Sequence, residues 1–323
     1  MDPSRFEDRR TPNQWLWGDL GNYYGSGPSG LNFHRNTYQI TFSPSSVGSP
    51  ARLLSTYPKP PEVTFENFMR TGPSGSGDQG YVYGGPRRRL ITLRGTVPAG
   101  GKFSIKGALP DPPLLCLHAF RDYLKKQNFP VAEIKVQRDT RPQATDLIHT
   151  TISPSLSKLL IPTNQKSINL NADSIFKALT EQGTTAAATK AFRKLWLNKG
   201  VDLTGLDIYD GSGLSPQNLV TPAQITAILK ATAHSEHRDA FTSSLPVAGR
   251  SGTLRSFGRG TACQDRIIAK TGSMNRVRGF AGYLRAHSGE KFAFALLINH
   301  YNGPDKSIRP LAAHLLAQLI TEL

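Results

Sequence analysis

Cysteine is nearly absent from this sequence: Cys116 and Cys263 are the two in 323 residues. Two cysteines do not define a redox compartment, and their spacing is not that of a metal site. Cys116 lies in an apolar helical pattern and reads as a small buried hydrophobe. The histidines form no H-x-x-x-H pair, so neither metal nor other cofactor is expected. No apolar run approaches the length of a membrane span. The opening residues, Met1 to Asp8, show no apolar signal region, so no export signal is expected from them. Acidic residues are the short side of the charge balance, 23 against 39 Lys and Arg, for a net charge of +16. The excess is spread evenly over residues 1–145 and 146–323. A diffuse basic surface attracts polyanions, but the densest run, Arg87-Arg88-Arg89, reads as a solvated loop. Without aromatic interleaving or a nucleic-acid motif, no nucleic-acid binding is expected.

What is present suits an ordinary globular protein long enough for two domains, with 38% apolar and 19% charged residues. Tyr38 to Phe42 alternates apolar and polar side chains, as a half-buried strand does. Residues 43–61 and 71–86 are rich in Pro, Gly and Ser and read as loops. Arg89 to Val97 reads as a strand with a turn at Pro98–Gly101. Asp111 before Pro112 reads as an N-cap of a helix to about Lys126, with Leu114, Leu117, Phe120 and Leu124 on one face. Val131 to Val136 begins another short strand. A boundary falls near residues 138–150. Beyond it, Ser153–Ile161 and Ser167–Gln182 read as helices broken at Pro162, and Ala186–Asn198 as another, with Phe192, Leu195 and Trp196 apolar. Thr221-Pro222 starts one more, turning Ile225, Ile228 and Leu229 inward. The last helix, from about Ser307 to Leu323, carries one stripe of Ile308, Leu311, Ala312, Leu315, Leu316, Leu319 and Ile320.

Three strands lie near the C-terminus. Ile267 to Ser273 is followed by Arg278 to Leu284 and by Lys291 to Ile298, with a polar, glycine-bearing turn at Ala286–Glu290. Short connections between sequential strands imply an antiparallel meander. The first strand ends in Lys270-Thr271-Gly272. A strand edge there offers backbone groups to an extended peptide. Gly272 allows a ligand backbone to come close. Lys270 supplies positive charge for an anionic substrate, and Thr271 a hydroxyl for a carboxylate oxygen.

Four segments occur in a telling order: Asp210-Gly211-Ser212-Gly213-Leu214-Ser215, Leu245 to Leu254, Ala269 to Gly272, and Gly279 to Leu284. Together they resemble the C-terminal half of the low-molecular-mass class C penicillin-binding proteins, the D-alanyl-D-alanine carboxypeptidases and endopeptidases of bacterial cell walls. Lys-Thr-Gly is a signature of penicillin-binding proteins and β-lactamases. Trp17 to Gly25 resembles a segment inside the inserted domains of the same family. The resemblance implies an α+β fold: residues 1–145 as inserted α+β structure, and residues 146–323 as the C-terminal part of a β-lactamase/transpeptidase-like domain, an antiparallel sheet flanked by helices.

Ser167-Ile168-Asn169 matches the family's S-x-N element. The resemblance gives Ser167 a part in passing a proton to the leaving group, and the Asn169 amide a grip on substrate or on a catalytic side chain. It gives Lys270 a positive potential beside the nucleophile, Thr271 the terminal carboxylate, and the Ser273 backbone N–H a place in the oxyanion hole. The family's nucleophile is the serine of an S-x-x-K motif well before the inserted domains, and the chain is expected to start inside the insertion, without it. Ser155-Leu156-Ser157-Lys158 and Ser174-Ile175-Phe176-Lys177 are set aside as substitutes because they flank the S-x-N element where the family has ordinary helix residues, and Ser174 is too close to Asn169 to face it across a cleft; Ser155 is kept as the one remaining alternative. The expected function is therefore serine-type D-Ala-D-Ala carboxypeptidase or endopeptidase chemistry on peptidoglycan stem peptides, through an acyl-enzyme, in a fragment lacking its nucleophile. β-Lactams are the expected mimics and the periplasm the expected location. The alternatives are an inactive peptide-binding protein of the same fold, and a β-lactamase or esterase.

Overall fold

The computed structural model describes residues 1–138 and 149–323, so the boundary expected near 138–150 falls largely outside the described residues. The chain divides into two compact units. One comprises Met1–Ile148, Ala172–Ala188 and Tyr209–Pro216; the other comprises His149–Asn171, Thr189–Ile208 and Gln217–Leu323.

In the first unit, β1 (Thr37–Ser43) lies between β2 (Arg52–Tyr57) and β7 (Phe103–Ala108), antiparallel to both. A second sheet is built on β6 (Leu90–Pro98). Here β3 (Thr64–Asn67) and β4 (Arg70–Gly72) pair with it in parallel, and β5 (Gln79–Tyr83) pairs antiparallel. The period-two pattern works as expected: Tyr38, Ile40 and Phe42 of β1 enter a core with Val82, Ile91, Leu93, Val97 and Ile105. Burying such side chains contributes roughly 1.5–3 kcal/mol each. Helix α1 (Pro112–Lys126) is capped as read, the Asp111 carboxylate accepting from the Leu114 N–H at 3.2 Å.

Three expectations in this unit fail. Strands β2 and β5 lie within the stretches read as loops. Their Gly, Pro and Ser neighbours set the composition, while pairing with β1 and β6 sets the structure. Val131–Val136 forms no strand. In α1 the buried residues are Pro112, Pro113, Leu115 and Leu117, while Phe120 is exposed.

In the second unit, β8 (Ile267–Met274), β9 (Val277–Arg285) and β10 (Lys291–Asn299) form the expected antiparallel meander, in the order β10-β9-β8. Gly282 of β9 is required by close approach: a Cβ there would meet the Ile268 carbonyl and Ala269 of β8. The helices are α2 (Leu156–Lys166), α3 (Asn169–Lys177, here by its first residues), α4 (Thr185–Asn198, here from Thr189), α5 (Pro222–Ala233), α6 (Arg238–Ser244) and α7 (Asp305–Glu322). The start of α5 is a reciprocal capping box between Thr221 and Gln224. The sheet core joins Ile267, Ala269, Phe280 and Leu284 to Leu254, Phe257 and Cys263, and to Ala312, Leu316 and Ile320 of α7. A smaller cluster gathers Val201, Leu203 and Leu206 under Phe192, Trp196 and Ile228.

The break expected at Pro162 does not occur: α2 runs through it to Lys166 and ends where Ser167 takes the left-handed conformation. The α7 stripe is also narrower than read. Ile308, Ala312, Leu316 and Ile320 are buried, whereas Leu311, Leu315 and Leu319 are exposed. Leu316→Ala is therefore expected to cost about 2–5 kcal/mol, and Leu311→Ala to stay within about 0.5 kcal/mol. Denaturant melts of the two variants measure the difference, and equal losses would put both leucines in the core.

Candidate functional site

The predicted residues lie on two elements of the second unit. Ser167 is the C-cap of α2 at φ 53° and ψ 56°, a conformation that disfavours any side chain with a Cβ and that clusters at working sites. Its turn is built on Thr163. The Thr163 carbonyl accepts the backbone N–H groups of Ser167 and Ile168. The Thr163 hydroxyl donates to Leu159 O at 2.6 Å and accepts from the Asn171 amide at 3.1 Å. Asn169 opens α3 two residues on and is half-buried.

Lys270, Thr271, Gly272 and Ser273 lie on β8, an edge strand. Part of that edge is covered. Ala248 N–H donates to Ile267 O and Ala269 N–H to Pro246 O, each at 2.9 Å. Backbone groups point to the same edge at every second residue. The N–H groups of Thr271 and Ser273 therefore face the way Ala269 does. Among the described residues no backbone group bonds either of them on that side, and Gly272 and Ser273 are exposed. A Cβ on Gly272 would meet nothing within 4 Å. Packing does not demand glycine there, and the space in front of the strand stays clear.

Lys270 joins the two elements. Its Nζ donates to Ser167 Oγ at 2.7 Å and to the Thr271 carbonyl at 2.5 Å. Burial pulls its pKa from 10.5 down to about 8. Such an ammonium sheds its proton far more readily than a solvated lysine does, with a hydroxyl already in line. Thr271 Oγ1 donates to Thr253 Oγ1 at 2.9 Å.

A segment at residues 244–254 binds these elements together. Asn164 and Gln165 of α2 donate to Ser244 Oγ at 2.7 Å and to Leu245 O at 2.9 Å. Gly252, at φ +53°, sits where a Cβ would strike Gln165. Thr253 and Gln165 were not singled out from the sequence. Thr253 belongs to the quoted Leu245–Leu254 segment, but a loop hydroxyl has no periodicity to mark it.

The S-x-x-K strings offer no second arrangement. Lys177 is buried in the first unit, against Glu7 at 3.0 Å and the Arg9 carbonyl at 3.0 Å. Ser155 is exposed and shares a 3.0 Å contact with Ser157 Oγ. A third string, Ser288-Gly289-Glu290-Lys291, was not noticed in the sequence. It spans the exposed β9–β10 turn and has no helical turn to align its ends.

Lys270→Met tests the electrostatics. The folded pKa lies below the unfolded one, so charging Lys270 opposes folding. That penalty is complete below about pH 8 and fades as pH rises from 8 towards 10.5. The variant is expected to melt at or above the wild-type temperature at pH 7, with the gap closing by pH 10. A variant that is less stable at pH 7 would show that the two hydrogen bonds outweigh desolvation.

The D-Ala-D-Ala carboxypeptidase 3 (S13) family profile matches residues 1–319. A D-alanyl-D-alanine carboxypeptidase of Actinomadura sp. (strain R39) is 28% identical over 324 residues, covering 94% of this chain and 59% of that protein. The D-alanyl-D-alanine carboxypeptidase DacB of Haemophilus influenzae is 26% identical over 328 residues, covering 94% of this chain and 65% of that protein. The chain thus spans about three fifths of the length of these relatives. The crystal structure of penicillin binding protein 4 (dacB) from Haemophilus influenzae superimposes with a TM-score of 0.82 at 24% identity, over 99% of this chain and 75% of that one. The same protein complexed with a β-lactam gives 0.77 at 23% identity, over 92% and 71%. The α+β fold expected from the sequence is thus shared with that penicillin-binding protein, and the chain belongs to the D-Ala-D-Ala carboxypeptidase 3 (S13) family.

Proposed function

We propose that this chain contributes to a serine-type D-Ala-D-Ala carboxypeptidase or endopeptidase site that acts on peptidoglycan stem peptides outside the cytoplasmic membrane. The observation that carries the reading is the 2.7 Å contact between Lys270 Nζ and Ser167 Oγ. It joins the β8 edge to the S-x-N turn. In this reading residues 146–323 belong to the transpeptidase-like domain and residues 1–145 to its inserted part.

The chemistry is acyl transfer. A serine hydroxyl attacks the D-Ala–D-Ala carbonyl, the terminal D-alanine leaves with a proton on its amine, and water then hydrolyses the ester. Ser167 passes the proton to the leaving amine, with Lys270 as its reservoir, because a lysine near pKa 8 can give up and regain a proton around neutral pH. Asn169 holds the substrate amide. The Thr271 hydroxyl takes the terminal carboxylate beside the positive Lys270. The edge-facing N–H of Ser273 is aimed where the oxyanion develops. We assign no residue of the chain as the attacking serine. β-Lactams fit the same groove because they mimic the dipeptide. Among the described residues no helix is long and apolar enough to cross a membrane.

Titration of the folded chain with an N-acylated peptide ending in D-Ala-D-Ala and with its L-Ala-L-Ala counterpart tests the reading. Binding of the D,D peptide is expected to be the tighter, and Lys270→Met to weaken it by about tenfold or more, the worth of a charge-assisted contact. Equal affinity for the two peptides would sink the proposal. Labelled penicillin, with the fold checked by circular dichroism, separates the inert-module alternative: a covalent label mapped to one serine would identify the nucleophile inside this chain and remove that alternative.

A further inference from the structure

We infer that Thr253 is a positioning residue for substrate carboxylates: its hydroxyl hands a hydrogen bond to Thr271 so that Thr271 can give its own to the ligand. The inference deepens the reading above and rests on Thr271 as the carboxylate's partner.

The two hydroxyl oxygens are 2.9 Å apart. In the ligand-free chain Thr271 donates and Thr253 accepts. A hydroxyl has a single proton, so Thr271 in this state has none to offer a carboxylate. The conflict disappears if both hydroxyls rotate. Thr253 then donates to Thr271 Oγ1, and Thr271 donates outward. The present geometry suits Thr271 as the donor, so the reversal takes a small turn of the Thr253 side chain together with both hydroxyl rotations, and the hydrogen bond between the threonines is kept. A donor whose oxygen already accepts a hydrogen bond is the more polarised, so the chain strengthens the outer bond.

Thr253 is held in place for this role by groups independent of Thr271. Its carbonyl accepts from Arg309 Nη2 of α7 at 2.9 Å. The Arg309 guanidinium lies over the Phe257 ring at 5.6 Å, a core residue of the sheet. Arg278 is near enough to lower the Arg309 pKa, after burial. The Arg309 guanidinium thus adds positive potential behind Thr253, the sign a carboxylate requires. On its other flank Gly252 packs against Gln165, two residues before Ser167. The loop that carries Thr253 is therefore tied to both elements of the site.

The test compares wild type, Thr253→Val and Thr253→Ser. Each is titrated with an N-acyl-D-Ala-D-Ala peptide and with the same peptide as its C-terminal amide, and each is melted by calorimetry. Wild type is expected to prefer the free acid. Thr253→Val, which keeps the shape and loses the hydroxyl, is expected to reduce that preference by about tenfold while leaving amide binding unchanged. Thr253→Ser is expected to restore it. If wild type prefers the acid and the valine variant does so equally, the hydroxyl relay is wrong while the carboxylate reading stands. If wild type shows no preference for the acid, the carboxylate reading fails and the relay with it. Loss of amide and acid binding in equal measure, with a lowered melting temperature, would reduce Thr253 to a structural part and also overturn the inference.

Discussion

A half-buried ammonium is the constraint on which the site depends. Lys270 cannot stay charged out of water without partners, and it finds a hydroxyl from the end of α2 and a carbonyl from its own strand. Each partner is in turn fixed: Ser167 by the turn around Thr163, and the strand by its ladder with β9. A cation with two of its three donors aimed at fixed acceptors is stable enough to persist, and its lowered pKa lies within about one unit of neutral pH. The burial that opposes folding is thus also what brings the ammonium's pKa down towards neutral pH, a trade often seen where structure serves chemistry.

The surrounding fold reads as support for that arrangement. The 244–254 segment is stitched to α2 by Asn164 and Gln165, and to β8 by the Pro246 and Ala248 backbone. Beneath it, Leu254 and Phe257 join the core shared by the meander and α7. Side chains that touch no ligand thereby set the distance between Ser167 and Lys270. In the first unit the Asp210-Gly211-Ser212-Gly213 turn has a different role. The Asp210 carboxylate accepts from Gly213 N–H at 2.7 Å, Ser215 N–H at 2.6 Å and the Trp15 indole at 2.7 Å. That matched segment is a structural clasp.

The meander was legible because strand alternation, glycine-bearing turns and short connections all pointed one way. The Asp111 and Thr221 caps were legible because each is a local event within four residues. Errors arose where a neighbour distant in sequence decides the outcome. Seven apolar residues on α7 describe an arc, but only the sheet determines that Leu316 is covered and Leu311 is not. Strand β2 hides in a Pro- and Ser-rich stretch because β1 supplies its partner. Pro162 falls inside α2, where the helix persists despite the lost N–H and ends at Ser167. Within the site, Lys270 and Ser167 were found through motifs 103 residues apart in the chain. Thr253 was passed over because its link to the site is a single hydroxyl contact with Thr271, and no pattern of spacing announces such a bond.

The partial cover on β8 has a further outcome. An unpaired strand edge invites the same strand of a neighbouring molecule, the route by which β-proteins aggregate. Here residues 246–248 occupy the edge as far as Ala269, and the hairpin to β9 ends the strand after Met274. The tract left uncovered among the described residues, Lys270–Met274, is about 16 Å long at about 3.3 Å per residue. It carries a charge at its first position and no side chain at its third. A guest of a few residues can lie along it, whereas a long fibril-forming strand finds too few rungs to hold.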